Sequence, residues 1–416
     1  MRAKEEIFNS FISRMEGDQT DFVKIKSLLE NKGDNKFFLG VREDYLSIYY
    51  MGMSIATVQV LKRGGCSYTL SYYYLQGVKD KNGVCKYDGK KKGYYTLSSE
   101  VFWNEDNFRT ILHNVRCHVL GFGEKGYVYL EKACQQWIIN ANNSNSQSEW
   151  YYVDIEYVYK KDGEKSNHPF GRADMIAIKK IPDHGVHKVA FVELKVGTGA
   201  YDISIEVPKN ITDKKAKEAY RKDVERRLQN DLWDPQNIGI KLGSGLASHV
   251  VDFMQYFAQR DAITQLKEEI VGIIDVHKKF GLIDEKSPLY GLKSAKNLSP
   301  STDIYIVTYS EVPTIQKEML SAKAQERYEV QSIKEIKKEF CKYFFDGKDS
   351  SSLSIEKLIN KTQIAGLIGM KHDYMKFINT DEIEIECQQD IKNTSYRFVF
   401  RFIDISNKEV DSIRCI

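Results

Sequence analysis

Two stretches decide how this chain folds: Gly171-Arg-Ala-Asp-Met-Ile-Ala-Ile178 and Val189-Ala-Phe-Val-Glu-Leu-Lys-Val196. Both read as apolar core strands. Successive side chains of an extended strand point to opposite faces. Glu193 and Lys195 therefore share one face, and Val192, Leu194 and Val196 share the other. An uncompensated charge on such a strand costs on the order of several kcal/mol. Asp174, on the preceding strand, supplies a second carboxylate. Two carboxylates held close together repel each other unless a cation lies between them.

The 416 residues are enough for two or three domains. A hydrophobic content of 42% with 29% charged residues describes an ordinary globular composition. The net charge of +3 is too small to imply nucleic-acid binding by itself, although a local patch could still supply it. The seven cysteines (Cys66, Cys85, Cys117, Cys134, Cys341, Cys387 and Cys415) are dispersed, with no Cys-x-x-Cys spacing. They read as reduced thiols of a cytoplasmic protein, with no zinc module. The opening MRAKEEIFNSF has no continuous apolar signal core, and no window approaches 18 uninterrupted apolar residues. Neither secretion nor membrane spanning is expected.

Around the two strands the pattern is mixed. Residues 4–31 read as helical. From Lys36 to about Tyr95, short strands alternate with turns such as Arg63-Gly-Gly65 and Asp88-Gly89, which predicts a small antiparallel module. Helices are expected at about 106–118 and 126–142, followed by a third central strand at Trp150–Tyr159. Further helices are expected near 213–232 and 246–270, the latter with Val250, Val251, Phe253, Met254, Phe257 and Ile263 as its apolar stripe. Another core strand covers Asp303–Tyr309. Charged helices at about 315–345 and 353–368 precede a final strand pair, Glu382–Cys387 and Ser395–Ile403.

In this order, Gly-Arg-Ala-Asp174 on one strand and Glu193-Leu-Lys195 on the next, between helices, resemble the PD-(D/E)xK nuclease superfamily. The resemblance covers roughly residues 105–310, with Ala173 standing where the motif's proline would be. It implies an α/β fold (α+β overall) with a restriction-endonuclease-like core, a four-stranded mixed sheet flanked by helices. The N-terminal β-rich module and a helical C-terminal extension lie outside it. The expected divisions are 1–100, 101–312 and 313–416. The chemistry it implies is metal-dependent. Mg²⁺, with Mn²⁺ as its substitute, prefers oxygen ligands. Asp174, Glu193 and the backbone carbonyl of Leu194 would supply them, and Lys195 would orient the attacking water and offset charge building on the phosphate.

Glu131 shares a helical stripe with Val128, Cys134 and Ile138, the stripe expected to face the sheet. The resemblance offers it a role as a further metal-site carboxylate. A helix-edge Glu reaching water is the alternative. Gln255 lies in the helix after the Glu-x-Lys strand, where the resemblance places a polar residue near the site, and an amide at a helix edge is equally consistent. Arg172 would contact a phosphate or pair with Asp154 or Glu156. His168, His184 and His187 read as solvated loop histidines. Lys90-Lys-Lys92, followed by Tyr94 and Tyr95, and the basic helix carrying Lys214, Lys215, Lys217, Arg221, Lys222, Arg226 and Arg227 are candidates for tracking a nucleic-acid backbone.

The leading expectation is therefore a Mg²⁺-dependent endonuclease acting on nucleic acid, with DNA ranked ahead of RNA. A homodimer or a partner protein would complete the assembly. A role in prokaryotic genome defence rests on analogy alone. The alternative is a non-catalytic nucleic-acid-binding or scaffold protein that retains the nuclease fold.

Overall fold

A computed structural model of the chain describes residues 13, 19–30, 36–42, 44–62, 64–85, 87, 91–122, 130–159, 170–196, 206–230, 249, 253, 256, 262–309, 383–391 and 394–403. They form a mixed α and β architecture with two sheets and six α-helices among the described residues.

The first sheet is an antiparallel meander in sequence order: β1 (Phe37–Val41), β2 (Leu46–Tyr50), β3 (Met53–Val60), β4 (Cys66–Ser71) and β5 (Tyr94–Ser98). This is the antiparallel module expected from the alternating pattern. The β2–β3 hairpin closes through Met51 and Gly52, with φ values of 51° and 72°, and Tyr50 pairs with Met53. A two-residue loop with both φ positive matches the twist of the flanking strands. Gly52 is needed for a second reason, since a Cβ there would lie 1.8 Å from the carbonyl oxygen of Lys132.

Helix α1 (Gln19–Glu30) docks on this sheet through Asp21. Its buried carboxylate accepts from the Cys66 N–H at 3.0 Å, the Tyr68 hydroxyl at 2.9 Å, the Trp103 indole N–H at 3.1 Å and the Ser99 hydroxyl. Four donors offset the cost of burying one charge. The short α2 (Ser99–Phe102) leads into α3 (Glu105–Val119). Asn104 caps α3 by accepting from the Asn107 N–H. Glu105 and Asp106 in its first turn and Arg116 in its last complement the helix dipole.

The central sheet has six strands among the described residues. β6 (Trp150–Tyr159), β7 (Phe170–Lys179) and β8 (His187–Val196) form an antiparallel run. β9 (Leu298–Tyr309) then lies parallel to β8, and it starts five residues before the strand read from sequence. β11 (Thr394–Ile403) is parallel to β9 and carries β10 (Ile383–Ile391) at its outer side. The last strand pair is thus part of the same sheet as the Glu-x-Lys strand, across the division expected at 312. The helices expected at 315–345 and 353–368 lie outside the described residues.

Each face of β7 and β8 is covered. α4 (Leu130–Asn143) places Cys134, Ile138 and Ile139 against Met175, Ala177, Val192 and Leu194. The opposite face carries Ile176, Ile178, Val189 and Phe191. These pack with Leu266, Ile270 and Ile274 of α6 (Ala262–Lys279), in an apolar core that also takes in Leu39, Ile48, Val58 and Tyr68 of the first sheet. α6 runs nine residues past the end expected at 270, because Val271, Ile273, Ile274, Val276 and His277 continue its buried surface. The basic helix α5 spans Lys214–Asn230.

Two buried polar clusters tie the sheets together. The Arg42 guanidinium donates to Asp154 Oδ1 at 2.8 Å, to the Val41 and Ile155 carbonyls, and to the Tyr49 hydroxyl. Burial works against its charge, yet the Asp154 carboxylate and Tyr49 leave its pKa above the ordinary arginine value. The His277 ring bridges the Tyr151 hydroxyl at 2.9 Å and the Leu39 carbonyl at 3.1 Å. The Leu39 carbonyl must receive the Nε2–H, and burial favours the neutral ring, which leaves Nδ1 to accept from the Tyr151 hydroxyl.

Replacing Arg42 with Ala strips the fully buried Asp154 of this partner. A loss of about 3–5 kcal/mol is expected, read from the urea midpoint, and Arg42→Lys restores part of it because an ammonium cannot reproduce the fork. Burial pulls the His277 pKa down to about 4 from 6.5. A lowered histidine pKa means the fold favours the neutral ring. Its contribution is complete above pH 6.5 and is lost as the pH falls towards 4, by about 3 kcal/mol. Urea unfolding at pH 7.5 and at pH 4 checks this. The acid-induced loss in wild type exceeds that in His277→Gln by about this amount.

Candidate functional site

The regular β7–β8 ladder runs from Ile178↔Val189 to Met175↔Val192. One step beyond its last pair stand Asp174 and Glu193. Here a side chain replaces the ladder: Asp174 Oδ2 accepts the Leu194 backbone N–H at 2.7 Å. The Asp174 carboxylate thus reaches the peptide that joins Glu193 to Leu194. Asp174 is half-buried, whereas Glu193 is 1% exposed and Leu194 fully buried.

Glu193 is held from the helical side. His249 Nδ1 lies 3.1 Å from Glu193 Oε1. A carboxylate only accepts, so this nitrogen carries the proton of the contact. The His249 ring lies 6.5 Å from that of Phe253, which is 5.5 Å from Phe191, two residues before Glu193 on the same strand face. Tyr256 follows at 5.5 Å from Phe191, and its hydroxyl meets that of Tyr157 at 3.3 Å. His249, Phe253 and Tyr256 have helical backbone, and their spacing of four and three puts them on one stripe. Of the stripe expected for this segment, Phe253 is buried, and Val250, Val251, Met254 and Phe257 lie outside the described residues. His249 and Tyr256 stand beside Phe253.

The other expected site residues are distributed as follows. Lys195 continues β8, and its side chain lies outside the described residues, as does that of Arg172. Gln255 lies outside them too. Glu131 stands in the first turn of α4, half-buried, on the stripe of Cys134 and Ile138. That helix covers the Val192 and Leu194 face, whereas Glu193 and His249 lie with Phe191 on the other. The structure therefore joins Asp174 to the Glu193 strand and brings His249 in, while Glu131 rides on the opposite side of the sheet.

Asp154 is engaged by Arg42, and Glu156, with φ of 55°, pairs with Lys132 at 3.2 Å. These are the carboxylates expected beside Arg172, whose side chain lies outside the described residues. His187 is not a solvated loop residue. It opens β8, is 4% exposed, and contacts the Lys179 carbonyl at 2.8 Å through Nδ1. Burial lowers its pKa, with the carbonyl contact opposing. Nearby, burial pushes Lys180 down to about 8 while its ammonium donates to the Asn142 and Asn145 carbonyls. Both groups sit beyond the Ile178↔Val189 end of the ladder, opposite to the acidic end.

The donor set at the acidic end consists of two carboxylates on adjacent strands and the Leu194 carbonyl. Among the described residues no cluster of three or more His, Cys, Asp or Glu is placed to hold a metal ion. Two carboxylates still fit Mg²⁺ in kind, because that ion commonly takes one or two of them and completes its shell with water and substrate oxygens. No family model matches this chain, and comparison with curated proteins and solved structures gives no match. Among the described residues, no helix is long and apolar enough to cross a membrane.

Asp174→Ala leaves the Leu194 N–H without this acceptor. It is expected to cost about 1–3 kcal/mol. Asp174→Asn keeps an acceptor and stays near wild type. Chemical denaturation of the two variants side by side checks the pair.

Proposed function

We propose that this chain is a metal-dependent nuclease that hydrolyses phosphodiester bonds, with DNA as the favoured substrate, on a restriction-endonuclease-like core. The observation that carries the reading is the meeting of Asp174 with the Glu193–Leu194 peptide where β7 and β8 leave their ladder. The mixed β6–β9 run supports the core assignment, with three antiparallel strands, a fourth added in parallel and helical cover on both faces.

Asp174 and Glu193 would hold Mg²⁺ with the Leu194 carbonyl. When bound, the ion polarises the scissile phosphate and acidifies a water. The chain's own groups do the rest. His249 fixes the Glu193 carboxylate from behind, and Leu194 fixes that of Asp174. Phe191, Phe253 and Tyr256 wall off water on the helical side. Lys195 shares the face of Glu193 by strand alternation and would orient the attacking water.

Asp174→Ala, Glu193→Ala and Lys195→Ala are each expected to abolish Mg²⁺-dependent cleavage, while circular dichroism stays native. A gel assay against single- and double-stranded DNA and RNA reads this out and ranks the substrates. Robust cleavage by all three variants overturns the proposal. The second reading, a scaffold that retains the fold without catalysis, draws on the absence of a three-ligand cluster among the described residues. Calorimetric titration with Mn²⁺ separates the two, because a catalytic site binds the ion and loses it in Glu193→Ala.

A further inference from the structure

The segment 72–95, which leaves β4 and runs into the start of β5, has a composition unlike the rest of the chain. Its 24 residues hold six lysines against two aspartates, and six tyrosines. The whole protein, with 61 Lys and Arg against 58 Asp and Glu, carries a net charge of only +3. This one connection therefore carries more net positive charge than the entire molecule.

The structure sorts the tyrosines into two sets. Tyr72 and Tyr74 are buried. Tyr95 turns inward, with its ring 6.4 Å from Tyr72 and 5.8 Å from Tyr87. Tyr94, its neighbour on β5, points to the other side of the sheet. It is 80% exposed, a large apolar ring left in water beside the exposed Lys91 and Lys92. The Lys92 ammonium lies 5.8 Å above the Tyr73 ring, so the lysines already meet an aromatic face here.

The sheet face onto which Tyr94 projects is chemically uniform. The strand registers align Thr57, Thr69 and Thr96 in one row, Gln59, Ser67 and Ser98 in a second, and Ser71 with Tyr94 in a third. Thr69 and Thr96 share a hydrogen bond at 3.0 Å on the exposed side. These rows contain hydroxyls and one amide but no charge. A solvent-facing sheet usually carries charged side chains, so a neutral hydrogen-bonding face flanked by lysines and one exposed ring is selective. Among the described residues of these rows, a polyanion meets no carboxylate. Its phosphates find the lysines, and a base finds an aromatic platform.

We propose that the exposed part of this face, on β3, β4 and β5, binds a single strand of nucleic acid, with a base stacked on Tyr94 and phosphates at Lys91 and Lys92. A single strand is the occupant that uses both features, because a duplex keeps its bases stacked on one another and offers no free π-face to Tyr94. The binding goes beyond the proposed hydrolysis and is independent of it.

The test is fluorescence anisotropy with a labelled poly-thymidine strand of about 20 nucleotides, in EDTA, on the full chain. Metal-free binding keeps this result separate from the fate of the nuclease reading. Tyr94→Ala, at an exposed position, should weaken single-strand binding by about tenfold and leave duplex binding unchanged. Lys91→Glu combined with Lys92→Glu should weaken it further and lower the log–log salt slope by about 1.4. Lys209→Glu, an exposed charge elsewhere, should have little effect. The proposal is overturned by no binding, by affinities unchanged in the Tyr94 and lysine variants, or by a duplex or heparin that competes as well as the single strand.

Discussion

A guanidinium and a carboxylate, both taken out of water, join the two sheets. Arg42 leaves the first sheet just after β1 and delivers its fork to Asp154 on β6. The pair is worth more as a geometric constraint than as a source of stability, because each charge gives up its hydration to make it. What it constrains is alignment. Beside it, the neutral His277 ring takes one contact from β6 and gives one to β1. Polar groups at a seam tolerate little sliding, since a displaced partner leaves a buried donor or acceptor unmet. The position of β6 relative to the first sheet is thus defined, and β7 and β8 follow from it by hydrogen-bonded register.

Register then determines where chemistry can occur. Asp174 and Glu193 are brought together by counting residues along two antiparallel strands, not by a loop that must find its conformation. Such placement was legible in the sequence, because the period of a strand is two and the flanking residues are apolar. The five short strands of the first sheet were legible for the same reason. Turn residues such as Gly64 and Gly65 punctuate them, and both adopt positive φ.

What escaped reading depended on partners distant in sequence. His249 and Tyr256 meet Glu193, Phe191 and Tyr157 on the sheet, partners that the periodicity of their own segment does not reveal. One signal was present: His249, Phe253 and Tyr256 are spaced by four and three. Glu131 was placed on the correct stripe of its helix, yet a stripe does not say which side of a sheet it will cover. Arg42 and Lys132, which engage Asp154 and Glu156, belong to elements far away in sequence, so nothing in the strand pattern pointed to them.

The parallel seam between β9 and β11 has a consequence for how the chain must assemble. β6, β7 and β8 can pair as they emerge, each with the strand before it. β9 must wait for more than a hundred residues to pass before it meets β8, and β11 joins β9 only after a further long excursion. Closing such distances costs chain entropy before any contact rewards it. During synthesis, β9 would present an open, strongly apolar edge until residues beyond 394 have left the ribosome. An interruption inside that interval would therefore yield a nascent chain with its candidate catalytic strand already formed and its sheet unfinished, a species prone to pair with the wrong edge.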